Sequence, residues 1–139
     1  MKYWLIKSEP FKYSWSALLK DKTTCWDGIR NYAARNILMQ MEVGDNLFFY
    51  HSNEGKEIVG IAEVTRTYYQ DPTTDVDAWV VVDVKPLRSL KQAVPLTTIK
   101  KVEKLSQMVL LKNSRLSVQP VLKKEWDLIV ALSEGKPVV

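Results

Sequence analysis

The amino-acid sequence predicts a mixed α+β domain, most simply a small mixed β-barrel of about five to six strands with peripheral helices. Three observations lead to this fold class. Short segments rich in β-branched and aromatic residues recur along the chain, with turn residues between them. Helical spacing of apolar residues is confined to a few segments. Strands and long helices do not alternate, which argues against a parallel, doubly wound sheet.

The first third of the chain predicts one strand and two helices. Residues 3–7 form the strand, and the Ser-Glu-Pro sequence that follows ends it. Residues 14–20 form a short helix with Ser14 as its N-cap. Residues 31–41 form a second helix, because apolar residues repeat there at helical spacing and Asn31 can cap it.

The middle of the chain predicts three strands. They cover residues 47–52, 58–68 and 79–84, and the last is a nearly continuous β-branched run typical of a central strand. Gly60 is expected to form a bulge or bend of the kind that barrels use at corners. Alternate residues of segment 47–52 point to opposite faces, and one of these faces is expected to be core.

The last third predicts a helical turn, a strand and a helix. The turn covers residues 97–101, and the last strand covers residues 114–118 and ends before Pro120. Residues 123–133 form the terminal helix, with Gly135 as a possible C-cap.

Length and composition indicate one domain, residues 1–139, with ample material for a core: 46% of the residues are hydrophobic and five are Trp. A single cysteine and a single histidine exclude an internal disulfide and leave little for a metal cluster. No apolar run approaches the roughly 20 residues of a membrane-spanning helix. We therefore expect an intracellular, cytoplasmic protein without metal, cofactor or membrane partner. Nothing in the sequence indicates its oligomeric state.

Charge is distributed unevenly along the chain. Residues 85–115 contain eight basic residues and one acid, whereas residues 45–83 contain eight acids and two basic residues. The basic segment is a candidate surface for phosphate, although ordinary solvated surface is the alternative for each lysine. The candidate phosphate-binding residues are Arg35, Lys85, Arg88, Lys100, Lys101 and Lys112.

Polar and aromatic residues concentrate in segments 7–10 and 26–36. A site for a flat heterocycle needs an aromatic face, donors and acceptors for the base edge, and basic groups for phosphate, and segment 26–36 offers all three. In the alternative interpretation its aromatic residues are core and its Asp-Gly pair is a turn. If Trp26 stacks on a ligand, Trp26→Ala is expected to remove binding and leave the fold largely intact. His51, at a strand end, is more typical of a structural histidine than of an acid or base.

Five sequence motifs occur in order: YWLIKSEP at the start, YSW at 13–15, CWDGIRNYAARN at 25–36, FFYHSN at 48–53 and RLSVQPV at 115–121. Together they resemble the EVE domain family of the PUA-like superfamily, over nearly the whole chain. The resemblance implies a PUA-like barrel that reads a modified base, above all a modified cytosine in DNA, flipped into a cavity. Carried over by position, the cavity residues are Ser8, Glu9, Trp26, Asp27, Arg30, Asn31, Tyr32, Tyr50, His51, Ser52 and Arg115.

Two positions depart from the family pattern, and two other functions stay open. Ala34 replaces a common glutamine that could touch ligand, and Gln70 replaces a proline in a loop. PUA-like domains commonly bind RNA, which makes an RNA-binding module one alternative. Small relatives that hydrolyse acylated cytidine use a lysine, a hydroxyl residue and a carboxylate, types that Lys7, Ser8 and Glu9 supply. Adjacent strand positions point to opposite faces, so no catalytic residue is assigned and the reader function is preferred.

Overall fold

A computed structural model describes residues 1–136 of the chain. It contains one sheet, five α-helices and a 3-10 turn at Glu103–Leu105. The strands are β1 (Tyr3–Ser8), β2 (Thr24–Cys25), β3 (Asn46–His51), β4 (Glu57–Gln70), β5 (Val80–Pro95) and β6 (Val118–Val121). The helices are α1 (Trp15–Asp21), α2 (Tyr32–Leu38), α3 (Leu96–Lys101), α4 (Val109–Lys112) and α5 (Lys123–Ser133).

The six strands form one sheet in the order β2-β5-β4-β3-β1-β6. Strands β1 and β3 are parallel, and the other neighbours are antiparallel. The predicted α+β class is confirmed. The pairings of the described residues end at β2 on one side and β6 on the other, so closure into a barrel is not confirmed.

The sheet separates two hydrophobic clusters. In β3, Leu47 and Phe49 belong to the first cluster, and Phe48 and Tyr50 belong to the second. Helices α1 and α2 bury residues in the first cluster, whereas α3, α4 and α5 bury residues in the second. Both faces of this strand are core, because helices cover both faces of the sheet.

Gly60 lies where β4 changes register against β5, which confirms the predicted irregularity. The indole of Trp15 packs directly on its Cα: a Cβ added at Gly60 would lie 2.3 Å from two ring atoms of Trp15. The indole Nε1 donates to Ser89 Oγ at 2.8 Å, and this hydrogen bond fixes the ring over the bend. The first turn of α1 is thereby attached to the centre of the sheet.

Both predicted N-caps are confirmed. Ser14 Oγ accepts from the Ala17 N–H at 3.1 Å, and Asn31 Oδ1 accepts from the Ala34 N–H at 3.0 Å. The terminal helix has the predicted bounds, and the positive φ of Gly135 follows it.

Three predicted bounds were wrong. Helix α2 ends at Leu38 instead of continuing to residue 41, and β5 extends far beyond the six residues predicted for it. The last strand is Val118–Val121 and includes Pro120. A proline is compatible with this position because β6 is an edge strand, where one row of N–H groups has no partner in the sheet. The sequence also gave no indication of the two-residue strand β2.

Candidate functional site

A cavity of about 750 Å³ opens where β1 ends and the segment after β2 begins. Three stretches of chain and one residue after β3 form its walls. Its lining residues are Lys7, Ser8, Glu9, Lys12, Tyr13, Thr24, Cys25, Trp26, Asp27, Gly28, Ile29, Ser52, Ser114, Arg115 and Ser117.

The first wall is the loop between β1 and α1, and hydrogen bonds hold it in one shape. Both the Lys12 and the Tyr13 N–H donate to the carbonyl oxygen of Glu9 at 2.9 Å. The Ser8 hydroxyl donates to the carbonyl oxygen of Tyr13. The Glu9 carboxylate accepts from Asn53 Nδ2 at 2.7 Å and lies 3.4 Å from Lys12 Nζ. Neighbouring groups at the edge of the cavity therefore hold the Ser8 hydroxyl and the Glu9 carboxylate in place.

The second wall is apolar at its base. Trp26 lines the cavity, yet only 8% of it is exposed. Its ring meets Phe49 edge-on at a centroid distance of 5.6 Å and Tyr13 at 6.2 Å. Ile29 is equally buried beside it. Trp26 is thus both a wall of the cavity and part of the first core cluster.

Asp71, in the loop after β4, fixes the segment that follows Trp26. Its side chain is fully buried and accepts from the Gly28 N–H at 3.0 Å and from Arg30 Nη1 at 2.9 Å. The Thr73 N–H donates to it as well, at 2.7 Å. Burial alone would raise the pKa of Asp71, but the hydrogen bonds from Thr73, Gly28 and Arg30 outweigh burial and hold this pKa well below its usual value. Asp71 is therefore an ionised anchor for the cavity rim.

Asp71→Asn should lower the free energy of unfolding at neutral pH. It should also make this free energy depend less on pH in the acid range. A carboxyl whose pKa is depressed by folding contributes stability above the unfolded-state pKa of about 3.9, and that contribution is lost as pH falls below it. Urea unfolding at pH values between about 7 and 2 measures this, with the exposed Asp75→Asn of the same loop as control. If the free energies of unfolding of Asp71→Asn and the wild type changed in parallel with pH, Asp71 would not be an ionised anchor.

The third wall, residues 114–117, is attached to β1 and β6. Lys7 Nζ donates to the Ser114 carbonyl oxygen at 2.6 Å, and the Lys7 N–H donates to the Ser117 carbonyl oxygen at 3.0 Å. Buried Gln119 donates from Nε2 to the Leu116 carbonyl oxygen at 2.8 Å. Burial lowers the pKa of the Lys7 ammonium. These contacts place the exposed Arg115 side chain at the rim.

The structure brings six of the eleven carried-over residues to the cavity and leaves five outside its lining. Those that line it are Ser8, Glu9, Trp26, Asp27, Ser52 and Arg115; those that do not are Arg30, Asn31, Tyr32, Tyr50 and His51. For the second group, the structure shows other partners.

Two of these five residues lie at the end of β3. Tyr50 is 4% exposed and belongs to the second core cluster. His51 Nε2 accepts from the Trp15 N–H at 3.0 Å, so this nitrogen carries no proton. Burial lowers the pKa of His51, although Glu57 acts in the opposite direction. The structural interpretation of His51 is therefore the one that the geometry supports.

The other three lie at the start of α2. Arg30 forms an ion pair with Asp71, and Asn31 is occupied as the N-cap. Tyr32 is 59% exposed, and its ring packs on Trp79 at 4.8 Å with the Arg35 guanidinium 5.0 Å away. These groups join α2 to the loop before β5 and take no part in the cavity lining.

The candidate phosphate-binding residues are spread over several elements. Lys85 forms an ion pair with Glu63 at 3.4 Å. Lys100 and Lys101 end helix α3, which buries Ile99 in the second cluster, whereas the cavity is built on the first. Arg35 Nη1 donates to the Ala78 carbonyl oxygen at 3.1 Å. Arg88 and Lys112 are exposed and do not line the cavity. The basic segment is therefore not gathered around the cavity, where Lys7, Lys12 and Arg115 are the lining cations.

Sequence reasoning missed several lining residues. Lys7 was considered only as a catalytic candidate, and Lys12, Tyr13, Thr24, Cys25, Gly28, Ile29, Ser114 and Ser117 were not selected. Tyr13 had a usable signal, because it belongs to the YSW motif next to a predicted helix start. Ser117 had the same kind of signal, because it belongs to the RLSVQPV motif, whereas Ser114 had none.

The described residues contain no cluster of His, Cys, Asp and Glu suited to a metal ion. None of the helices in residues 1–136 is long and apolar enough to span a membrane.

The fold is similar to that of a nucleic-acid-binding domain of known structure. The YTH domain of Zygosaccharomyces rouxii MRB1, solved in complex with N6-methyladenosine RNA, superposes with a TM-score of 0.61 over 99% of this chain and 88% of that one. At 16% identity, this likeness concerns the fold alone. The chain belongs to the EVE domain family, whose family model matches residues 2–132.

Individual relatives cover nearly the whole chain. Human thymocyte nuclear protein 1 is 35% identical over 97% of this chain and 75% of its own length. The NMR structure of Rpa0253 from Rhodopseudomonas palustris is 44% identical, with a TM-score of 0.93 over 99% of this chain and 97% of that one. A crystal structure of human THYN1 protein in complex with 5-methylcytosine-containing DNA is 35% identical, with a TM-score of 0.90 over 99% of this chain and all of that one.

Proposed function

We propose that this protein is a non-enzymatic reader that holds one modified base of a nucleic acid in its cavity, and that the base is a modified cytosine in DNA. The observation that carries the proposal is the combination, in one cavity, of a buried aromatic wall, a polar rim and exposed cations. We further propose that residues 1–139 act as one domain inside the cell, in the cytoplasm.

The size and chemistry of the cavity suit a single base. Its volume of about 750 Å³ lies within the range of about 300–1,000 Å³ typical of small-molecule sites. Trp26 and Tyr13 supply aromatic surface, and Ser8 and Asp27 supply polar groups for a base edge. Exposed Arg115 at the rim can reach a phosphate of the same strand. This arrangement fits a nucleotide whose base lies inside the cavity and whose phosphate backbone lies outside, at the rim.

The comparisons support the choice of ligand. Human THYN1 protein, which shares the family and the fold, was solved with DNA that contains 5-methylcytosine. We therefore favour a 5-substituted cytosine over other modified bases.

Hydrolysis of an acylated cytidine is the second candidate, because Lys7, Ser8 and Glu9 all line the cavity. β1 ends at Ser8, so strand alternation does not extend to Glu9. Their reactive atoms nevertheless have separate partners, with Lys7 on Ser114, Ser8 on Tyr13 and Glu9 on Asn53. This favours binding over catalysis, and mass spectrometry of N4-acetylcytidine incubated with the protein tests for turnover.

Competition binding tests the proposed function. A labelled oligonucleotide with one 5-methylcytosine is displaced by unlabelled single-stranded DNA, duplex DNA and RNA, each with and without the modification. One added methyl group buried in an apolar pocket is worth about 1–3 kcal/mol, so we expect a preference of around tenfold for modified DNA. Stronger displacement by modified RNA than by modified DNA would favour the RNA-binding alternative. Equal displacement by modified and unmodified competitors would refute the reader function.

The salt dependence of binding should identify the cations that contact phosphate. Arg115→Ala should weaken binding and reduce the slope of log affinity against log salt by about 0.7 for a single strand, because one phosphate contact is lost. Lys100→Ala is the matched control, since Lys100 is exposed on α3 and does not line the cavity. Titration at several salt concentrations measures both slopes. Equal changes in the two variants would show a diffuse basic surface instead of a contact at the rim.

A further inference from the structure

Phe11 is a large aromatic side chain that is 69% exposed. It lies in the loop between β1 and α1, between Glu9 and Lys12, both of which line the cavity. The Lys12 ammonium lies 6.0 Å from the centre of its ring. Phe11 itself does not belong to the cavity lining or to either core cluster. An apolar ring is thus presented to solvent at the edge of the candidate site.

The loop that carries Phe11 is held at both ends. The Lys12 and Tyr13 N–H groups donate to the carbonyl oxygen of Glu9, which closes a turn around residues 9–13. The Ser8 hydroxyl donates to the carbonyl oxygen of Tyr13, and Asn53 Nδ2 donates to the Glu9 carboxylate at 2.7 Å. A ring on such a preorganised turn loses little conformational freedom when it enters a contact. The turn therefore fixes the position of the Phe11 backbone beside the cavity.

Extrusion of a base from a duplex leaves a gap in the stack and costs the stacking and pairing energy of that base. Proteins that deform duplexes commonly insert an apolar wedge such as Phe between base steps. We propose that Phe11 is such a wedge: it inserts into the duplex at the step from which the modified base leaves for the cavity. This inference rests on the proposed function, and it makes duplex DNA the form on which Phe11 acts.

The neighbouring charges fit this role. Lys12 is 71% exposed and follows Phe11 directly, so a phosphate of the opened step can meet its ammonium while the ring enters the stack. Arg115 lies on another wall of the same cavity and can contact the strand on the other side of the extruded nucleotide. Lys12 therefore lies beside the aromatic ring, and Arg115 lies at the rim of the same cavity.

Phe11→Ala tests the wedge on two forms of one oligonucleotide. Affinity is measured for a duplex with one 5-methylcytosine, for the same modified strand alone, and for both without the modification. Tyr68→Ala is the matched control, because Tyr68 is a 46% exposed aromatic residue on β4 that does not line the cavity. We expect Phe11→Ala to weaken binding to the modified duplex about tenfold, equivalent to about 1.4 kcal/mol, and to the modified single strand by less than about twofold.

A mismatch opposite the 5-methylcytosine supplies a second readout. An unpaired base flips at lower cost, so the defect of Phe11→Ala should shrink on a mismatched duplex, and Phe11→Trp should bind every probe like the wild type. The wedge would be wrong if Phe11→Ala bound the modified duplex within twofold of the wild type, or if it lost equal affinity for the duplex and the single strand. In either case the preference for modified DNA, and with it the proposed function, would still stand. If the wild type shows no preference for the modification in either form, the proposed function fails, and the wedge fails with it.

Discussion

Gly60→Ala is expected to destabilise the fold by at least about 3 kcal/mol, near the upper end of what an added buried methyl group costs. The new Cβ would lie 2.3 Å from two ring atoms of Trp15, and the ring cannot withdraw easily because it is 6% exposed and hydrogen-bonded to Ser89. Either β4 or α1 must then shift. Thermal unfolding should show a melting temperature lower by roughly 10 °C for a chain of this size.

Two comparisons isolate the contact between Gly60 and Trp15. Gly55→Ala is a control for backbone conformation, because Gly55 has a φ of +81° but its nearest neighbour is the flexible Glu57 side chain. Its cost should be about 1–2 kcal/mol, from the left-handed conformation alone. In a double-mutant cycle, Gly60→Ala should cost little once Trp15→Ala has removed the ring. Additive effects in that cycle would contradict the proposed clash.

Trp26→Ala should lower the free energy of unfolding by about 3–5 kcal/mol, the usual cost of removing a buried tryptophan side chain. This replaces the expectation from sequence that the fold stays largely intact. The ring is 8% exposed and packs edge-on against Phe49, so the substitution empties the base of the first cluster as well as the cavity wall. Loss of DNA binding by Trp26→Ala would therefore say nothing about stacking.

Trp26→Phe separates the two roles. Phenylalanine keeps an aromatic ring in the core and offers less surface to a base, so it should retain most of the stability and lose part of the binding energy. Base–aromatic stacking is worth roughly 1–3 kcal/mol, and the loss should be a fraction of that. Chemical denaturation and DNA titration of both variants provide the comparison. A melting temperature of Trp26→Ala equal to that of the wild type would contradict the buried position.

Much of the fold follows from local signals in the sequence. The caps Ser14 and Asn31 and the bounds of α5 were predicted correctly, because capping residues and helical periodicity act over a few residues. The bounds of β6 were not, because Pro120 normally ends a strand and is compatible only with an edge position. Edge positions depend on the order of all strands in the sheet. That order joins distant segments and leaves no local pattern.

The candidate site, too, could be predicted only in part from local patterns in the sequence. The family motifs predicted Ser8, Glu9 and Trp26, which line the cavity, since each motif lies next to the element that positions it. The motifs could not separate cavity residues from those that support them. Asn31 and His51 also belong to family motifs, yet Asn31 caps α2 and His51 accepts from the N–H of Trp15. The packing between elements decides to which neighbouring group a polar side chain forms its hydrogen bond.

The anchor residue Asp71 was missed for a related reason. It lies in a loop of acidic residues, which is typical of solvated surface. Its partners Gly28 and Arg30 are more than forty positions away in the sequence. Only the folded chain brings this carboxylate under the rim of the cavity.

Occupation of the cavity by the modified base is the central claim, and isotope-filtered NMR tests it most directly. An oligonucleotide whose single 5-methylcytosine carries a ¹³C-labelled methyl group is bound to the protein, and nuclear Overhauser contacts from that methyl group are recorded. We expect contacts to protons of Trp26, Tyr13 and Ile29, which all line the cavity. A saturated complex whose labelled methyl group contacts only residues outside the cavity, such as Tyr32 or Tyr68, would contradict it.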